Sequence, residues 1–373
     1  MEITPILIKS KAFNKIVTIL LDFICRFFKK INSLTANKNG TILIIAIHKL
    51  GDSILAAYAI KEFENYYKTK ISLVCFNEIC DVYNIVFERI NLITLSKSDF
   101  YFEQRIASRR ARRVIRKLKP EMIIDLTGSI SSASLIFNSR AKKMIGINSP
   151  IFSKLYSDYV PIRTQPHLID IYLDVARRII PIDGSINKSI SAQYLSEGYI
   201  LIHPFAGWAA KEWGLKKFVE LAEVLNRKFE CVIVFSSDRM KMDVVNELDS
   251  KKIRYIETKS ISDLDEITKH CSVFIGNDSG PLHLASLLGK PTFSIFGPTN
   301  PEFHLPVSGI NRYFSKEINC SPQKGDKLCF TNGGRNGCPS FECMNNISVH
   351  EVETNLLEFL NTVSQSSNLS KKV

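Results

Sequence analysis

A β-branched run, Thr41-Ile42-Leu43-Ile44-Ile45-Ala46-Ile47, is followed by a short polar turn and then by helical periodicity from Ser53 to Tyr67. Such a continuous apolar run predicts a buried strand of a parallel sheet. Strand–helix alternation continues to a predicted linker at Pro181-Ile182-Asp183-Gly184-Ser185 and resumes at Tyr199. Two such repeats predict an α/β protein with two Rossmann-like, doubly wound domains that face a central cleft.

The apolar runs and the amphipathic stretches predict the order of elements in both domains. The expected strands are 41–47, 70–75, 91–95, 121–125, 143–147, 199–203, 230–235, 253–256, 272–275 and 291–295. The expected helices are 78–88, 102–118, 167–179, 215–228, 238–250, 263–270 and 281–288. We therefore divide the chain into a basic amphipathic helix (1–38), an N-terminal domain (39–180), a linker (181–198), a C-terminal domain (199–345) and a C-terminal helix with a tail (346–373).

Composition restricts the class of protein and its partners. The chain has 373 residues, of which 45% are hydrophobic and 23% charged, so it is long and apolar enough for two packed domains. Its net charge of +12 indicates nucleic acid, an anionic membrane surface or an acidic substrate as partner. No cleavage site of a signal peptide follows the first apolar stretch, and Cys25, Cys75, Cys231 and Cys271 lie in apolar runs. We expect a reducing, cytoplasmic setting.

The N-terminal segment is a candidate membrane contact. Apolar residues recur at steps of three and four within 11–31, and residues 9–38 carry seven basic residues and one acidic, a net charge of +6. A basic amphipathic helix of this kind lies in a membrane interface or packs on the domain that follows it, and both interpretations stand at this point. The segment lacks the 18 or so uninterrupted apolar residues of a membrane span.

The first polar motif, His48-Lys49-Leu50-Gly51-Asp52-Ser53, comes directly after the first strand. Gly51 allows a tight turn, and Asp52 stands at the start of the next helix. One interpretation of Asp52 is an N-cap that accepts the free N–H groups of the first turn. The other is a general base that takes the proton of an attacking hydroxyl.

Two further motifs follow strands of the second domain. The first, His203-Pro204-Phe205-Ala206-Gly207-Trp208-Ala209-Ala210-Lys211-Glu212-Trp213, places Lys211 as a cation near a helix N-terminus, which suits a diphosphate. In the second, Ile275-Gly276-Asn277-Asp278-Ser279-Gly280-Pro281-Leu282-His283, Pro281 marks a helix start, so the amides of Ser279 and Gly280 can face phosphate oxygens. A solvated lysine and a purely capping role for Asp278 and Ser279 are the alternatives. Neither G-x-G-x-x-G nor the Walker loop occurs, which argues against a dinucleotide enzyme and a P-loop enzyme.

The ordered set of motifs resembles family 9 glycosyltransferases, the ADP-heptose:lipopolysaccharide heptosyltransferases. The run from Asn277 to Ala285, with Gly289-Lys290-Pro291 and Phe296-Gly297-Pro298-Thr299 behind it, looks like the donor-site signature of that family. The run from His203 to Trp213 resembles its second motif, and Leu50-Gly51-Asp52 resembles its N-terminal motif. The similarity spans roughly residues 41–362.

The resemblance implies a GT-B fold, transfer from ADP-heptose without a metal or other cofactor, and inversion at the anomeric centre. It implies Asp52 as catalytic base and Lys211 as the cation on the donor diphosphate. Donor binding would also involve Asp278, Ser279, Gly280 and His283. The turn Phe235-Ser236-Ser237-Asp238 should border the adenosine, although it departs from the glycine-rich turn common in the family. The implied acceptor is a lipid-linked lipopolysaccharide core glycan. The implied enzyme is cytoplasmic and associates peripherally with the inner face of the inner membrane, where it binds this acceptor.

Two features stand outside these motifs. The run from Arg105 to Lys119 holds eight basic residues and no acidic residue. It is interpreted as a solvated helix face, a contact with lipid headgroups or a contact with the acceptor. Nucleic acid is disfavoured as its partner, because no nucleic-acid-binding motif accompanies it. Arg140, Lys142 and Lys143 are expected nearer the cleft. Reduced structural thiols are favoured over a metal site for the cysteine group at the C-terminal end, because its spacings are not C-x-x-C pairs; its members are Cys320, Cys329, Cys338 and Cys343.

Two other classes of function remain open at the level of sequence. The alternation of strands and helices also fits a nucleotide-binding oxidoreductase, which the missing glycine fingerprint disfavours. The charge also fits a basic, membrane-associated module without catalysis, which the presence of Asp52 and Lys211 disfavours. A glycosyltransferase is the favoured interpretation. The acceptor sugar, the linkage position and the identity of the donor sugar are not specified by the residues.

Overall fold

The computed structural model describes residues 11–34, 40–67, 71–102, 105–148, 154–181, 198–334 and 336–370. Most of the predicted linker at 181–198 lies outside the described residues, as do residues 35–39 between the first helix and the first strand. Contacts divide the chain into two units. The first is Met1–Thr164 with Ile169–Gly184, and the second is Gln165–Leu168 with Ser185–Val373.

The first unit is an α/β layer structure around a parallel sheet of six strands in the order β3-β2-β1-β6-β7-β8. Its elements are α1 (Lys11–Leu34), β1 (Ile42–Ile45), α2 (Leu50–Tyr67), β2 (Ile71–Phe76), α3 (Cys80–Val86), β3 (Asn91–Leu95), β4 (Phe100–Tyr101), β5 (Ile106–Ala107), α4 (Arg109–Leu118), β6 (Met122–Asp125), α5 (Ile130–Ile136), β7 (Lys143–Asn148), β8 (Asp158–Pro161) and α6 (Ile169–Ile179). All four residues of β1 are buried, as the β-branched run predicts for a strand covered on both faces.

The second unit repeats this topology, with strand order β11-β10-β9-β12-β13-β14. Its elements are β9 (Tyr199–His203), α7 (Leu215–Leu225), β10 (Cys231–Ser236), α8 (Met242–Ser250), β11 (Arg254–Thr258), α9 (Ile261–Lys269), β12 (Cys271–Asn277), α10 (Gly280–Leu287), β13 (Thr292–Phe296), α11 (Pro301–His304), β14 (Asn311–Ser315), α12 (Glu342–Asn345) and α13 (Val349–Ser370). Helix α13 contributes Val352, Leu356 and Phe359 to the core of this unit. The predicted Rossmann-like class is confirmed in both units.

The predicted helix 102–118 is wrong at its start. Residues Phe100–Tyr101 and Ile106–Ala107 pair as a short antiparallel hairpin instead, and α4 begins at Arg109. Ser108 sets this start, because its side chain accepts a hydrogen bond from the backbone N–H of Ala111. A serine at the N-cap satisfies one of the free donors of the first turn and so fixes where a helix begins.

The N-terminal helix α1 packs on the first unit, as one interpretation of its amphipathic pattern predicts, while its contact with a membrane stays a prediction. One side packs on the first unit: Cys25 is buried, and the Phe28 ring meets the Phe137 ring at 4.8 Å. The other side leaves an apolar stripe in solvent, made of Ile16, Ile19, Leu20, Phe23 and Phe27. Among the described helices, α1 included, none is long and apolar enough to cross a membrane.

Candidate active site

Polar motifs follow the two central strands of the first sheet, where the strand order reverses. Leu50-Gly51-Asp52 follows β1, and Asp125-Leu126-Thr127-Gly128 follows β6. The two strands are parallel neighbours with Ile45 opposite Asp125, so both motifs lie at the carboxyl edge of the sheet. This is the position at which open α/β sheets bind ligands.

Asp52 stands at this edge with an exposed side chain. Helix α2 begins at Leu50, so Asp52 lies within the first turn rather than at the N-cap position. The buried Tyr172 of α6 donates a hydrogen bond from Oη to Asp52 Oδ1 over 3.4 Å. The carboxylate is therefore both accessible and oriented from a second helix, which is the arrangement that a general base requires.

His48 completes this group from the end of β1. Its ring meets the Tyr172 ring edge to face with 5.5 Å between centroids. Burial lowers the pKa of His48 to about 4, against the opposing effect of the Asp52 carboxylate. The imidazole is therefore neutral at pH 7 and adds no positive charge beside Asp52.

The turn after β6 is held by a buried carboxylate. Asp125 accepts hydrogen bonds from Tyr156 Oη at 2.6 Å and from the backbone N–H of Thr127 at 2.9 Å. Burial raises the pKa of Asp125 despite these bonds. Gly128 has φ +59°, and a Cβ there would lie 2.0 Å from the carbonyl oxygen of Ile147, so this tight turn requires glycine.

The expected cleft position of Arg140, Lys142 and Lys143 is wrong. Strand β7 begins at Lys143, so these three residues stand at the amino end of their strand. Asp52 and Gly128 follow the carboxyl ends of parallel strands of the same sheet. The two groups therefore lie at opposite edges.

The second sheet also reverses its strand order between two central strands, β9 and β12. Lys211 lies in the loop after β9, in a single 3-10 turn at Ala209–Lys211. It is 7% exposed, so the alternative of a solvated lysine is wrong. Its Nζ lies 2.5 Å from Asp278 Oδ2, donates to the Asp278 carbonyl at 3.1 Å and lies 4.3 Å from the Trp208 ring centroid.

Two histidines surround the same carboxylate. His283 Nε2 lies 3.7 Å from Asp278 Oδ1, and His304 Nδ1 lies 4.0 Å from Oδ2. Burial alone would raise the pKa of Asp278, but Lys211 and the histidines outweigh it and hold the pKa far below its usual range. Burial lowers the pKa of His304 to about 4. His304 was missed in the sequence, although it follows Phe296-Gly297-Pro298-Thr299 closely.

Buried hydroxyl groups at the carboxyl edge of this sheet indicate a ligand site. Ser279 Oγ and Thr299 Oγ1 are buried and have no hydrogen-bond partner within the part of the chain that the structure describes. Buried polar atoms in native proteins are nearly always paired. Ser279 is the N-cap of α10, which begins at Gly280, so its orphan hydroxyl stands beside free backbone N–H groups that suit an anion.

Asn277 joins the two motifs of this unit and was also missed. Its side chain accepts a hydrogen bond from the Trp213 backbone N–H at 3.0 Å and donates one to the Pro204 carbonyl at 2.8 Å. The Trp213 ring is buried against Phe218 of α7. This one amide therefore fixes the Lys211 loop relative to the Asp278 loop.

The turn after β10 carries the third loop at the same edge. Strand β10 ends at Ser236, and the guanidinium of Arg239 lies 5.4 Å from the Phe205 ring centroid. Arg239 also lies 3.9 Å from Glu212. The turn is thus connected to the Lys211 loop, while its contact with adenosine stays a prediction.

The sequence as a whole matches one family of enzymes. Residues 109–332 match the model of glycosyltransferase family 9 (heptosyltransferase), a range that covers the Lys211 loop, the turn after β10 and the Asp278 loop. The chain belongs to glycosyltransferase family 9. This confirms the expected family and selects a glycosyltransferase over the oxidoreductase and the non-catalytic module.

Individual relatives of this family 9 glycosyltransferase match it over most of their own length. Lipopolysaccharide heptosyltransferase 3 of Escherichia coli is 24% identical over 288 residues, which cover 69% of the chain and 84% of the relative. A family 9 glycosyl transferase structure from Veillonella parvula superposes with a TM-score of 0.70 at 20% identity, covering 87% and 96% of the two chains. E. coli heptosyltransferase WaaC with ADP gives 0.64 at 13% identity, covering 87% and 99%. These structures confirm the GT-B fold class.

The C-terminal cysteines of this glycosyltransferase converge more closely than their spacing indicates. All four border one small cavity of about 30 Å³, together with Ala210 of the Lys211 loop. They are free thiols, and burial raises the pKa of Cys343 to about 12. No group of three metal-ligating side chains in a metal-holding arrangement occurs among the described residues. The cluster lies beside the Lys211 loop without a contact that assigns it a role.

Proposed function

We propose that this family 9 glycosyltransferase moves a heptose from ADP-heptose to a lipopolysaccharide core acceptor, with inversion at the anomeric carbon and Asp52 as the general base. The observation that carries the assignment of Asp52 is its exposed carboxylate at the point of strand reversal, oriented by Tyr172. The acceptor oxygen attacks the anomeric carbon, its proton passes to the Asp52 carboxylate, and the bond from that carbon to the diphosphate oxygen breaks. A base at this position contributes about 10²–10⁴-fold in rate.

The donor side of the proposal uses the second unit. Negative charge develops on the departing ADP, and preorganised donors stabilise such charge. An ammonium group has three N–H donors. Lys211 directs two of them to Asp278, and we assign the third to the donor diphosphate. The Ser279 hydroxyl and the N–H groups at Gly280 receive the same group, while Asp278 and His283 keep the loop in place.

We propose that transfer needs no metal ion or other cofactor. The reason is electrostatic: Lys211 and the N-terminal amides of α10 supply the positive potential that a divalent cation would otherwise bring to a diphosphate. Transfer that persists in excess EDTA would support this part of the proposal. Loss of activity in EDTA, restored by one metal ion, would contradict it.

We further propose that the enzyme works as a peripheral protein at the inner face of the inner membrane, where its lipid-linked acceptor is presented. Support comes from α1, in which Phe23 is 72% and Phe27 60% exposed, within a segment (9–38) of net charge +6. Apolar side chains buried at the acyl boundary and cations near lipid phosphates act together in such helices. Nucleic acid is not expected as a partner.

A donor-by-acceptor screen tests the proposed reaction. Purified full-length protein is incubated with ADP-heptose, ADP-glucose and UDP-glucose in turn, each with delipidated core oligosaccharides that lack or carry the first heptose. Mass spectrometry then reads the added mass. The proposal requires a heptose increment from ADP-heptose and at least one core acceptor. Transfer of another sugar with ADP-heptose inert would contradict it.

A further inference from the structure

A cationic cavity in the first unit lies outside the active site. Its volume is about 530 Å³, and Asn138 contributes to its wall. The remaining lining is basic and comes from α4 and the turn after it: Arg109, Arg112, Arg113, Arg116, Lys117 and Lys119. Four of these follow the spacing i, i+3, i+4, i+7, so α4 presents them on one face. We call this feature the α4 cavity.

The α4 cavity reaches the edge of the sheet opposite to Asp52. The carbonyl of Lys119 accepts a hydrogen bond from Thr41 Oγ1 at 3.0 Å, and Thr41 immediately precedes β1. Asn138 follows α5 on the way to the first residue of β7. Both therefore mark the amino ends of strands, whereas Asp52 follows a carboxyl end. The cavity is not part of the site that holds the proposed base.

The side chains of the α4 cavity carry charges that no described residue neutralises. Within the described residues, none of its side chains lies in ion-pair distance of a carboxylate, while neighbouring Arg110 pairs with Asp99 at 3.8 Å. The pKa of Arg112 is lowered, mainly by burial and to a smaller extent by the positive charge of Arg109. The cations of α4 therefore lie close enough to repel one another. Like charges at helical spacing destabilise a helix, so a bound anion would stabilise this one.

One guanidinium of the cavity is already held in position. Arg112 Nη1 donates to the Ala107 carbonyl at 2.8 Å, and its guanidinium carbon lies 5.4 Å from the Phe137 ring centroid. The other cations project into solvent around it. Guanidinium groups match phosphate oxygens with paired hydrogen bonds, and lysines add point charges.

The α4 cavity adjoins the helix that carries the exposed apolar stripe. Phe137, which supports Arg112, also packs edge to face on Phe28 of α1. Asn32 of α1 donates to the Phe137 carbonyl at 2.9 Å and accepts from the Arg140 backbone N–H at 3.0 Å. The helix that carries the apolar stripe thus packs on Phe137, the same residue that supports Arg112 of the α4 cavity, and an anionic bilayer presents phosphate and hydrocarbon at once.

We propose that the α4 cavity binds the phosphodiester headgroup of an anionic phospholipid and, together with the stripe of α1, holds the enzyme on the bilayer. This inference rests on the membrane association proposed above and names its headgroup site. A cation near an anionic membrane surface contributes about a fivefold gain in partitioning. Removing three of them should therefore weaken binding by about a hundredfold.

The test compares two full-length variants of equal charge. The cavity variant carries Arg113→Gln, Arg116→Gln and Lys117→Gln, all at exposed positions of α4. The control carries Lys216→Gln, Arg227→Gln and Lys228→Gln, which are exposed positions of the second unit. Glutamine has nearly the helix propensity of the residues it replaces, and thermal melts check that both variants fold. Flotation measures partitioning onto phosphatidylcholine vesicles with and without phosphatidylglycerol.

We expect the cavity variant to lose about a hundredfold in partitioning onto phosphatidylglycerol vesicles and the control to lose less than about fivefold. Transfer to a soluble, delipidated acceptor should be unchanged in both variants. Equal losses in the two variants would overturn the headgroup site and leave membrane association by diffuse charge. Reduced transfer to the soluble acceptor in the cavity variant would also overturn it, because the cavity would then bind acceptor.

Two further arms separate the source of the phosphate from the membrane proposal itself. Inorganic phosphate at millimolar concentration should not displace the wild-type protein from vesicles; displacement would assign the cavity to a free anion and overturn the lipid assignment. An oligonucleotide that displaces the wild-type protein from vesicles, but does not displace the cavity variant, would assign the cavity to nucleic acid. Absence of wild-type binding to any vesicle would refute the membrane association, and the headgroup site with it, while leaving the proposed transfer reaction intact.

Discussion

Replacing Lys211 by methionine should destabilise the second unit strongly, because it leaves the Asp278 carboxylate buried without its main partner. Lys211 is 7% and Asp278 3% exposed, and their charged atoms lie 2.5 Å apart. Removing one partner of such a pair costs about 3–5 kcal/mol. For a unit of about 150–250 residues, each kcal/mol lowers the melting temperature by about 2–4 °C. We therefore expect a fall of about 6–20 °C in the transition of this unit.

The pH dependence of the melting temperature tests the same ion pair between Lys211 and Asp278. In the native protein the pKa of Asp278 is lowered, so the stabilisation is present above the unfolded pKa of about 3.9 and is lost as the pH falls further. Without Lys211, the burial that raises the pKa of Asp278 is opposed only by the two histidines, so we expect the buried site to favour the protonated acid more than it does in the wild type. The variant should therefore gain stability relative to the wild type as the pH falls from 7 towards 4, and the difference in melting temperature should shrink.

A double-mutant cycle provides the control. Asp278→Asn alone leaves Lys211 buried without its carboxylate, while Lys211→Met with Asp278→Asn removes both charges. Replacing a whole buried pair is often close to neutral, so the double variant should recover more than half of the loss. Calorimetry or circular dichroism of the four proteins measures the coupling. A fall below 2 °C for Lys211→Met, or strictly additive losses, would refute the pairing.

The same cycle tests the proposed third donor of Lys211. A charge-assisted hydrogen bond to the diphosphate is worth about 1.5–3 kcal/mol, or about 10- to 150-fold in affinity. Calorimetric titration of Lys211→Met, below its melting transition, should show that ADP is weakened by this factor and adenosine by much less. Equal loss for both ligands would limit Lys211 to holding the loop.

Three further outcomes follow from the first unit and one from the donor site. Asp52→Asn should lower kcat by about 10²–10⁴-fold with ADP affinity retained; a matching loss of affinity would instead make Asp52 a structural residue. Tyr172→Phe removes one hydrogen bond to that carboxylate and should lower kcat by about two- to tenfold, with KM for the donor unchanged. An unchanged kcat would show that Tyr172 does not orient Asp52. Phe23→Ser with Phe27→Ser should reduce binding to anionic vesicles while sparing transfer to a soluble acceptor. Deletion of residues 1–38 should have the same two effects. Unfolding of the truncated protein would instead show that α1 is an essential part of the first unit. Initial rates in excess EDTA should equal those without it, and a rate restored only by added metal would argue against the charge balance proposed for the donor site.

The central strands could be predicted because burial on both faces leaves a continuous apolar signature. Strand β1 is buried at every position, and β12 is buried along its whole length. The edge strands lack this signature. Strand β8 (Asp-Tyr-Val-Pro) is partly exposed throughout and ends at a proline, and β14 is exposed or half-buried throughout. Both were missed, whereas the edge strands β3 and β11, which are also largely exposed, were predicted.

Helix α5 was missed for a different physical reason. Its sequence, Ile-Ser-Ser-Ala-Ser-Leu-Ile, is buried at five positions, including Ser132 and Ser134. A buried serine gives no amphipathic period. The hydroxyl of Ser134 instead donates to the Ser131 carbonyl at 2.9 Å and accepts from the Ala107 N–H at 2.8 Å. Such bonds make buried serine tolerable, and the bond from Ala107 is set by tertiary structure.

The site shows the same division between local and tertiary information. Turn chemistry after a strand places Asp52 and Asp278 at carboxyl edges, because a polar motif directly after an apolar run can lie nowhere else in a parallel sheet. The partners are 120 residues away for Asp52 with Tyr172 and 67 for Lys211 with Asp278. The residues next to a lysine in a polar loop do not indicate whether its side chain is buried. What makes Lys211 buried is the carboxylate that meets it, so its environment could be known only once the loops after β9 and β12 stood side by side.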